Sequence, residues 1–171
     1  SIAKLGNWQW DVSSNTVRWS DEMYNIYGIK KSEFDNSYEG FLSRLHPDDR
    51  ESIKNKISEA FNDKQSFEFN ERIITPEGRI KVLRSSGGVR LDPDGNVAKL
   101  VGTCLDITEI YEAEQKIREN EERLSLIMEN IKDYAVIMLD ENGNIKSWNR
   151  AAEYIKGYTK EEILGRHISV F

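Results

Sequence analysis

The sequence lacks several features on which catalysis, secretion and membrane insertion depend. It has one cysteine, Cys104, which excludes an internal disulfide framework and suits the reducing cytoplasm. Its two histidines, His46 and His167, provide neither a zinc cluster nor, so far apart, the base of a catalytic triad. No apolar run approaches the ~20 residues of a membrane span, and no signal peptide is present. We therefore expect no enzyme activity, no metal site and no membrane contact in this chain.

A basic surface is missing as well. Lysine and arginine number 24 against 30 aspartates and glutamates, which gives a net charge of −6. Binding to a nucleic-acid backbone needs clustered cations, so a nucleic-acid partner is not expected. With 171 residues, of which 38% are hydrophobic, the chain can bury one complete core and part of a second.

What the sequence does contain is an internal repeat. The early segment NWQWDVSSNTVRWS and the later segment MLDENGNIKSWN share residues at one constant offset of 129 positions. The matching pairs are Asp11 and Asp140, Asn15 and Asn144, Trp19 and Trp148, Ile26 and Ile155, Gly28 and Gly157, and Glu33 and Glu162. So long a spacing exceeds the ~20–50-residue periods of solenoids and indicates two copies of a domain. Few residues follow Gly157, so we expect the second copy to be incomplete and the chain to be a piece of a longer protein.

The first copy has strand-like, then helical, then strand-like patterns. GNWQWDV and TVRWS predict a hairpin, and Ser20 and Gly28 bracket a short helix. HPDDRESIKNKISEAF predicts a longer helix with Pro47 in its first turn. SFEFNERIIT, RIKVLRSSGGVR and NVAKLVGTCLDI are strand-like and are joined by the turns TPEG and DPDG. This order predicts an α+β domain: a five-stranded antiparallel sheet with helices on one face.

Four motifs in this order resemble the PAS domain family. They are W-x-W-D at Trp8, Trp10 and Asp11, H-P-D-D-R at 46–50, P-x-G at Pro76 and Gly78, and D-I-T-E at 106–109. The resemblance implies a PAS fold for residues 1–107 and the N-terminal half of a second PAS domain for residues 133–171. Val82 departs from the pattern, since relatives often have tryptophan after the P-x-G turn.

Residues 108–132 join the two copies and contain neither glycine nor proline. Mostly apolar residues recur there with heptad spacing, and the proposed seam consists of Ile110, Ile117, Asn120, Leu124, Ile127 and Ile131. The flanking charges favour a parallel coiled coil, and hence a homodimer through this helix, with Asn120 fixing the register. A single surface helix packed on its own domain is the alternative.

The joint before this helix comprises Asp106, Thr108 and Glu109. Asp106 and Glu109 have capping-box spacing, and Thr108 offers a second capping oxygen. In PAS sensors this segment links the sensing core to the output helix, so the resemblance implies a signalling role. An ordinary helix cap is the alternative.

A ligand pocket is expected, if there is one, between the sheet and the helices. Its candidate residues are Tyr24, Phe41, Leu45, Phe69, Arg72, Arg84 and Cys104. If Arg72 or Arg84 points inward, the ligand should be a small anion, because arginine forks onto carboxylates. If both face water, the interior should be a filled core that binds nothing. For His46 and Cys104 we favour structural and packing roles over haem ligation and flavin-adduct formation, and we predict no cofactor.

The resemblance implies a sensory or relay PAS module of a multidomain signal-transduction protein. Ligand or conformational signals would pass through the linker helix to an effector domain in the same chain. Tandem PAS domains joined by such helices imply a sensor histidine kinase of a two-component system, and a diguanylate cyclase is an equally good effector. The alternative is a haem- or flavin-bearing redox or light sensor.

Overall fold

The computed structural model describes residues 5–171, which form two units, one ending at Tyr111 and the other running from Glu112 to Phe171. The predicted first domain therefore includes residues 1–4, which lie outside the described part. The strands of the first unit are β1 (Leu5–Asp11), β2 (Thr16–Trp19), β3 (Phe67–Ile74), β4 (Ile80–Leu91) and β5 (Val97–Asp106). Its helices are α1 (Asp21–Tyr27), α2 (Tyr38–Arg44) and α3 (Arg50–Asp63), with 3-10 turns at Lys31–Glu33 and Pro47–Asp49.

The five strands form one antiparallel sheet in the order β2-β1-β5-β4-β3. β1 lies inside the sheet although it comes first, because β5 returns to pair with it from Leu105 to Lys99. The β4–β5 hairpin turns at DPDG, where Gly95 has a φ of +82° and the Asp92 carboxylate accepts from a backbone N–H of the turn. The predicted α+β class, with a five-stranded antiparallel sheet and helices, is confirmed.

The core lies between one face of this sheet and the three helices. Side chains alternate across the pleat, so Phe69, Glu71 and Ile73 of β3 are buried, whereas Asn70 and Arg72 between them are not. The apolar face of α1 packs into the same cluster. Full burial of one large apolar side chain contributes about 1.5–3 kcal/mol relative to exposure, so this cluster is the main source of stability in the first unit.

Two glycines make room for an indole ring on the inner face of the sheet. Gly87 of β4 and Gly102 of β5 are register partners, and Trp8 of β1 lies against both. A Cβ at Gly87 would be 2.7 Å from Cη2 of Trp8, and a Cβ at Gly102 would also collide with the ring. The Trp8 ring can therefore lie flat over the central strands.

The second unit repeats the opening elements of the first. β6 (Ile137–Leu139) pairs with β7 (Ile145–Trp148), and α5 (Arg150–Lys156) and α6 (Lys160–Ile163) follow. The bounds of β7 and α5 correspond to those of β2 and α1 at the offset found in the sequence. A small separate core consists of Ile145, Trp148, Ala152 and Ile163.

Equivalent residues of the repeat share local structure but not always burial. Gly157 ends α5 with a φ of +76°, as Gly28 ends α1 with a φ of +67°, because both helix ends need a left-handed residue. Ile26 is fully buried, whereas its equivalent Ile155 is 53% exposed. The described second unit has no counterpart of β3, β4 and β5, the strands that complete the core around Ile26.

Helix α4 (Thr108–Asn130) begins in the first unit and continues into the second. At ~1.5 Å per residue it is roughly 35 Å long. It ends two residues before the predicted boundary at Lys132. Across residues 5–171, no helix combines the length and the apolar character needed to cross a membrane.

Candidate functional site

A cavity of about 50 Å³ lies between the sheet and the helices of the first unit. Much of its wall is aromatic and includes Trp8, Trp10, Trp19, Tyr38, Phe67 and Phe69. The indole N–H groups of Trp8 and Trp10 donate elsewhere, to the Thr103 carbonyl at 3.2 Å and to Oδ1 of Asn15 at 3.0 Å. These two rings therefore line the cavity without a free hydrogen-bond donor, and each stacks on another ring of the wall, Trp8 on Phe67 and Trp10 on Tyr38.

Three buried polar side chains, Tyr27, Glu71 and Ser85, also line the cavity. The Ser85 hydroxyl donates to Oε1 of Glu71 at 2.6 Å. Oε2 of Glu71 and the hydroxyl of Tyr27 have no hydrogen-bond partner among the described residues, although the two residues are only 1% and 2% exposed. Burying an unsatisfied polar group costs about 1–3 kcal/mol. Two residues of the cavity wall therefore each carry a buried polar atom without a partner.

Burial controls the protonation of these groups. Desolvation raises the pKa of Glu71 from 4.5 to about 7, although the hydrogen bond from Ser85 opposes the rise. Burial, and secondly the charge of Glu71, raises the pKa of Tyr27 and the pKa of Cys104 well above their ordinary values. Glu71 is thus the member of this group that gains or loses a proton near neutral pH.

Two of the predicted pocket residues, Phe41 and Phe69, line the cavity. Tyr24 and Leu45 are buried in the surrounding core, and Cys104 is buried on β5. The structure thus places three of these five side chains in packing positions around the cavity and two at its wall.

The two candidate arginines lie outside the cavity. Asp49 accepts hydrogen bonds from Nε of Arg72 at 3.0 Å and from its backbone N–H at 2.9 Å, and the Arg72 side chain holds the pKa of Asp49 below its ordinary value. Nε of Arg84 donates to Oδ1 of Asn70 at 3.2 Å on the exposed side. Within the described chain, no lysine, arginine or histidine lines the cavity. Among the described residues, the cavity wall therefore has no positive charge to pair with the anionic ligand that was expected if Arg72 or Arg84 pointed inward.

Glu71 is the candidate residue that the sequence reasoning passed over. It occupies an inward position of β3, between Phe69 and Ile73. Burying a charge at an apolar position of an alternating strand is costly. That interruption of the pattern in FEFNERII was the available signal.

The cavity does not fit a haem or a flavin as it stands. Its volume is far below the ~300–1,000 Å³ of sites for drug-sized ligands. His46 is not part of its wall, and Nδ1 of His46 accepts from the backbone N–H of Asp48 at 3.4 Å. Among residues 5–171, no group of three or more histidine, cysteine, aspartate or glutamate side chains is placed to hold a metal ion.

The joint between β5 and α4 is built on the Asp106 side chain. Its Oδ1 accepts from the backbone N–H of Thr108 at 3.1 Å and from the Thr108 hydroxyl at 2.6 Å. Oγ1 of Thr108 also accepts from the backbone N–H of Val82 on β4 at 3.0 Å. The first residue of α4 is therefore attached to two strands of the sheet.

The cap at this joint differs in form from a capping box. Asp106 still pairs with Leu83 in the sheet, and α4 begins at Thr108. The Asp106 carboxylate therefore caps an N–H two residues further on, not three. Glu109 is exposed, and in the described part of the chain its side chain takes no part in the hydrogen bonds of the joint.

Lys81 of β4, which the sequence reasoning did not consider, completes the joint. Its Nζ lies 3.3 Å from Oδ2 of Asp106 and donates to the Ile26 carbonyl of α1 at 2.5 Å. Burial opposes ionisation of Asp106, but the hydrogen bonds from Thr108 and the charge of Lys81 outweigh it and lower the pKa of Asp106. Because Tyr27, the neighbour of Ile26, lines the cavity, a continuous set of contacts runs from the cavity to α4.

The heptad seam of α4 is exposed. The accessible fractions are 59% for Ile110, 60% for Ile117, 60% for Leu124 and 50% for Ile127. Asn120 lies among them and is exposed too, whereas Ile131 lies beyond the end of the helix at Asn130 and is half-buried. A stripe of exposed aliphatic side chains is typical of an interaction surface.

In the second unit, the buried side chain of Asn149 connects the end of α4 with α5. Its amide oxygen and nitrogen lie within 3.2 Å of backbone groups of Met128, Ile131, Tyr134, Val136 and Ala152. The equivalent residue of the first unit, Ser20, makes a simpler contact, accepting from the backbone N–H of Asn7 at 3.0 Å.

Comparison with known families identifies both parts of the chain. Residues 16–104 match a family model described as PAS fold, and residues 122–171 match a second model with the same description. The first match alone covers about half of the chain. The chain therefore belongs to the PAS family, and the resemblance seen in its motifs is confirmed.

Its curated relatives are longer signalling proteins. Sensor protein FixL of Bradyrhizobium diazoefficiens is 31% identical over 166 residues, which are 97% of this chain and 32% of FixL. The probable diguanylate cyclase DgcE of Escherichia coli is 29% identical over 164 residues, 94% of this chain and 14% of DgcE. The chain thus spans about a third or less of the length of these relatives.

Solved structures share the fold. A sensory box histidine kinase/response regulator from Burkholderia thailandensis has a TM-score of 0.62 and 22% identity, covering 72% of this chain and 92% of that one. An RNA-binding light-oxygen-voltage receptor has a TM-score of 0.56 and 13% identity, covering 98% of this chain and 76% of that one. At these identities the likeness concerns the fold alone.

Proposed function

We propose that this chain is a sensory and relay PAS module of a multidomain signal-transduction protein, a sensor histidine kinase. In this proposal, α4 passes a signal from the interior of the first unit to an effector domain in the same protein. FixL and DgcE, both named for signalling functions, align with more than nine-tenths of the chain. The single observation that carries the proposal is the set of contacts from the cavity through Lys81 and Asp106 to Thr108.

The relay would work through small displacements at this joint. A change at Tyr27 moves the adjacent Ile26 carbonyl, which Lys81 contacts. Lys81 also contacts Asp106, so its movement alters the cap that holds the first turn of α4. Losing such a cap costs about 0.5–2 kcal/mol, which is comparable with the 1–3 kcal/mol of typical allosteric coupling. A modest event in the cavity is therefore enough to change how α4 starts.

The proposed output surface is the seam of α4, paired with the same helix of a second copy. Exposed isoleucine and leucine side chains at heptad spacing favour a parallel coiled coil over an isolated helix. Asn120 within the seam would fix the register at a cost in stability. A dimer of this kind can transmit a tilt or rotation from one end of the helix to the other.

Helix-phase insertions in the full-length protein test the relay. Each inserted residue rotates the downstream helix by about 100°, so two residues after Glu119 turn the seam by about 200°, whereas seven return it to within about 20°. We expect the seven-residue insertion to retain regulated output and the two-residue insertion to abolish or invert it. Equal output from both insertions would sink the relay proposal.

The class of effector needs its own measurement. Full-length protein should transfer phosphate from ATP to one of its own histidines. If the protein instead forms cyclic diguanylate from GTP and transfers no phosphate to histidine, the effector is a cyclase and not a kinase. The relay proposal would be unaffected. A visible absorption band of purified protein at haem or flavin wavelengths would instead favour the cofactor-bearing alternative.

A further inference from the structure

The unsatisfied atoms of the cavity define the chemistry of its occupant. Oε2 of Glu71 accepts hydrogen bonds when the carboxyl is ionised, and the Tyr27 hydroxyl can accept or donate. Aromatic π faces are electrically negative and attract cations. An ionised Glu71 and a mainly aromatic wall therefore favour the same kind of ligand, a cation that also carries apolar groups. In the described part of the chain, no basic side chain of the cavity wall already serves as the counter-ion.

The volume limits the size of that ligand. One water-sized probe needs about 10–15 Å³, so a cavity of about 50 Å³ holds about four non-hydrogen atoms without rearrangement. A nucleotide, a haem or a large ring does not fit. A small amine with one to three methyl groups does.

We propose that this cavity binds a small alkylammonium cation, whose N–H group donates to Oε2 of Glu71 while its alkyl groups contact the surrounding aromatic rings. Tyr27 lines the same cavity, and its unpartnered hydroxyl can accept a second N–H where the amine has one. The proposal supplies a ligand class for the sensory function proposed above and rests on it. It also explains why a glutamate occupies an inward position of β3.

Binding should depend on pH through Glu71. The titratable and charged groups around it are Tyr27 of α1, Cys104 of β5 and Asp49 ahead of α3, while Lys56 of α3, Arg72 of β3 and Tyr111 of α4 line a second cavity that Glu71 also borders. Tyr27 and Cys104 stay neutral between pH 5 and 8 because their pKa values are raised, and Asp49 stays ionised because its pKa is lowered. Among Tyr27, Cys104, Asp49 and Glu71, only Glu71 changes its charge over this range. Cation affinity should therefore rise with pH and level off above about 7.

Three small probes of about four non-hydrogen atoms each test the proposal on the 171-residue chain. They are trimethylammonium chloride, sodium acetate and isopropanol, titrated by NMR against a sodium chloride control. We expect saturable binding of trimethylammonium alone, with shifts at the indole signals of Trp8 and Trp10. Its affinity should fall about tenfold per pH unit well below the pKa of Glu71. Glu71→Gln should weaken it at least tenfold, whereas Glu68→Gln, an exposed change on the same strand, should not.

Several outcomes would overturn the cation site. The first is equal binding of all three probes. The second is the absence of saturable binding by any probe, which would leave ordered water as the occupant. The third is an unchanged affinity for trimethylammonium in Glu71→Gln. If that variant does not fold, Tyr27→Phe should still reduce the affinity for methylammonium, which has N–H groups for both oxygens. Full-length output separates the two proposals: binding without any change in output refutes the sensory function, and regulated output without cation binding refutes this ligand.

Discussion

Nζ of Lys81 lies 3.3 Å from Oδ2 of Asp106, and the two side chains are only 16% and 9% exposed. Lys81 projects from β4 and Asp106 ends β5, so the pair joins neighbouring strands at the point where the chain leaves the sheet for α4. The same lysine donates to the Ile26 carbonyl at the end of α1. Salt screens a partly buried ion pair less than a surface pair. Removing one partner destabilises the protein strongly, because the other charge is left buried without a counter-charge. Lys81 therefore contacts both the end of α1 and Asp106, the residue that caps α4.

A double-mutant cycle on Lys81→Met and Asp106→Asn should reveal this coupling. We expect an interaction free energy of about 0.5–3 kcal/mol from urea unfolding of the two single variants and the double variant. The exposed pair of Lys31 and Asp21 is the control and should show no measurable coupling, because both side chains are more than half exposed. If the two substitutions change the free energy of unfolding additively, Lys81 does not interact with Asp106 and has no role in the joint.

Replacing Asp106 with alanine should uncouple the two units while the first stays folded. The loss of the cap costs about 0.5–2 kcal/mol, too little to unfold a domain but enough to fray one turn of α4. Circular dichroism of the chain should show a small loss of helix, and full-length output should stop responding to its stimulus. Asp94→Ala, in the exposed DPDG turn, should change neither. An Asp106→Ala protein with normal regulation would contradict the role of the joint.

Changing both Ile117 and Leu124 to glutamate should make the chain monomeric. Both side chains are 60% exposed and occupy seam positions, so two like charges per helix would repel across a parallel pair. Analytical ultracentrifugation measures the result. Arg118→Glu with Arg123→Glu introduces the same side chains outside the seam and should leave the dimer in place. The unaltered chain sedimenting as a monomer at high concentration would already exclude this interface.

Glu71→Gln should stabilise the first unit at alkaline but not at acidic pH. The folded-state pKa of Glu71 is about 7 and the ordinary value is 4.5, so the folded protein binds more protons than the unfolded chain between these values. Wild-type stability therefore falls as pH rises from about 4.5 to about 7, by about 3 kcal/mol at 1.36 kcal/mol per pKa unit. Glutamine stays neutral and avoids this loss.

Urea unfolding at pH 5 and pH 8 checks this difference. The advantage of Glu71→Gln over the wild type should be small at pH 5 and close to its full value at pH 8. Glu68→Gln, exposed on the same strand, should show no such pH dependence. A difference that is equal at both pH values would mean that Glu71 does not titrate in this range.

Asn149→Ala should destabilise the second unit by more than an ordinary surface change. The buried amide serves several backbone groups at once, and each one left unsatisfied costs about 1–3 kcal/mol. The indole N–H signal of Trp148, which is buried beside Asn149 and donates to the Tyr158 carbonyl, should report earlier unfolding in urea by NMR. Asn142→Ala, an exposed asparagine in the preceding turn, is the matched control. Equal midpoints for the two variants would show that the amide is dispensable.

Much of this fold could be predicted from the sequence because it depends on local interactions. The repeat, the α+β order and the helix ends at Gly28 and Gly157 follow from residues that act on their own backbone or alternate along one strand. The residues of the heptad seam could be predicted for the same reason, since they depend only on spacing along one helix. Its last member, Ile131, lies outside the helix because α4 ends at Asn130, and the Ile131 carbonyl accepts instead from the side chain of Asn149, the N-cap of α5.

Tertiary structure alone decided which side chains line the interior and which contacts connect its wall with the start of α4. Arg72 faces outward because the strand register sets the direction of its side chain and Asp49 holds it there. Glu71 then lies on the inner face by the same alternation, and its pKa is raised because the elements packed over it remove its carboxyl group from water. Lys81 meets Asp106 only because β4 pairs with β5 in one particular register. Such contacts join residues far apart in the chain, and their distances depend on strand pairing and packing that no short stretch of sequence encodes.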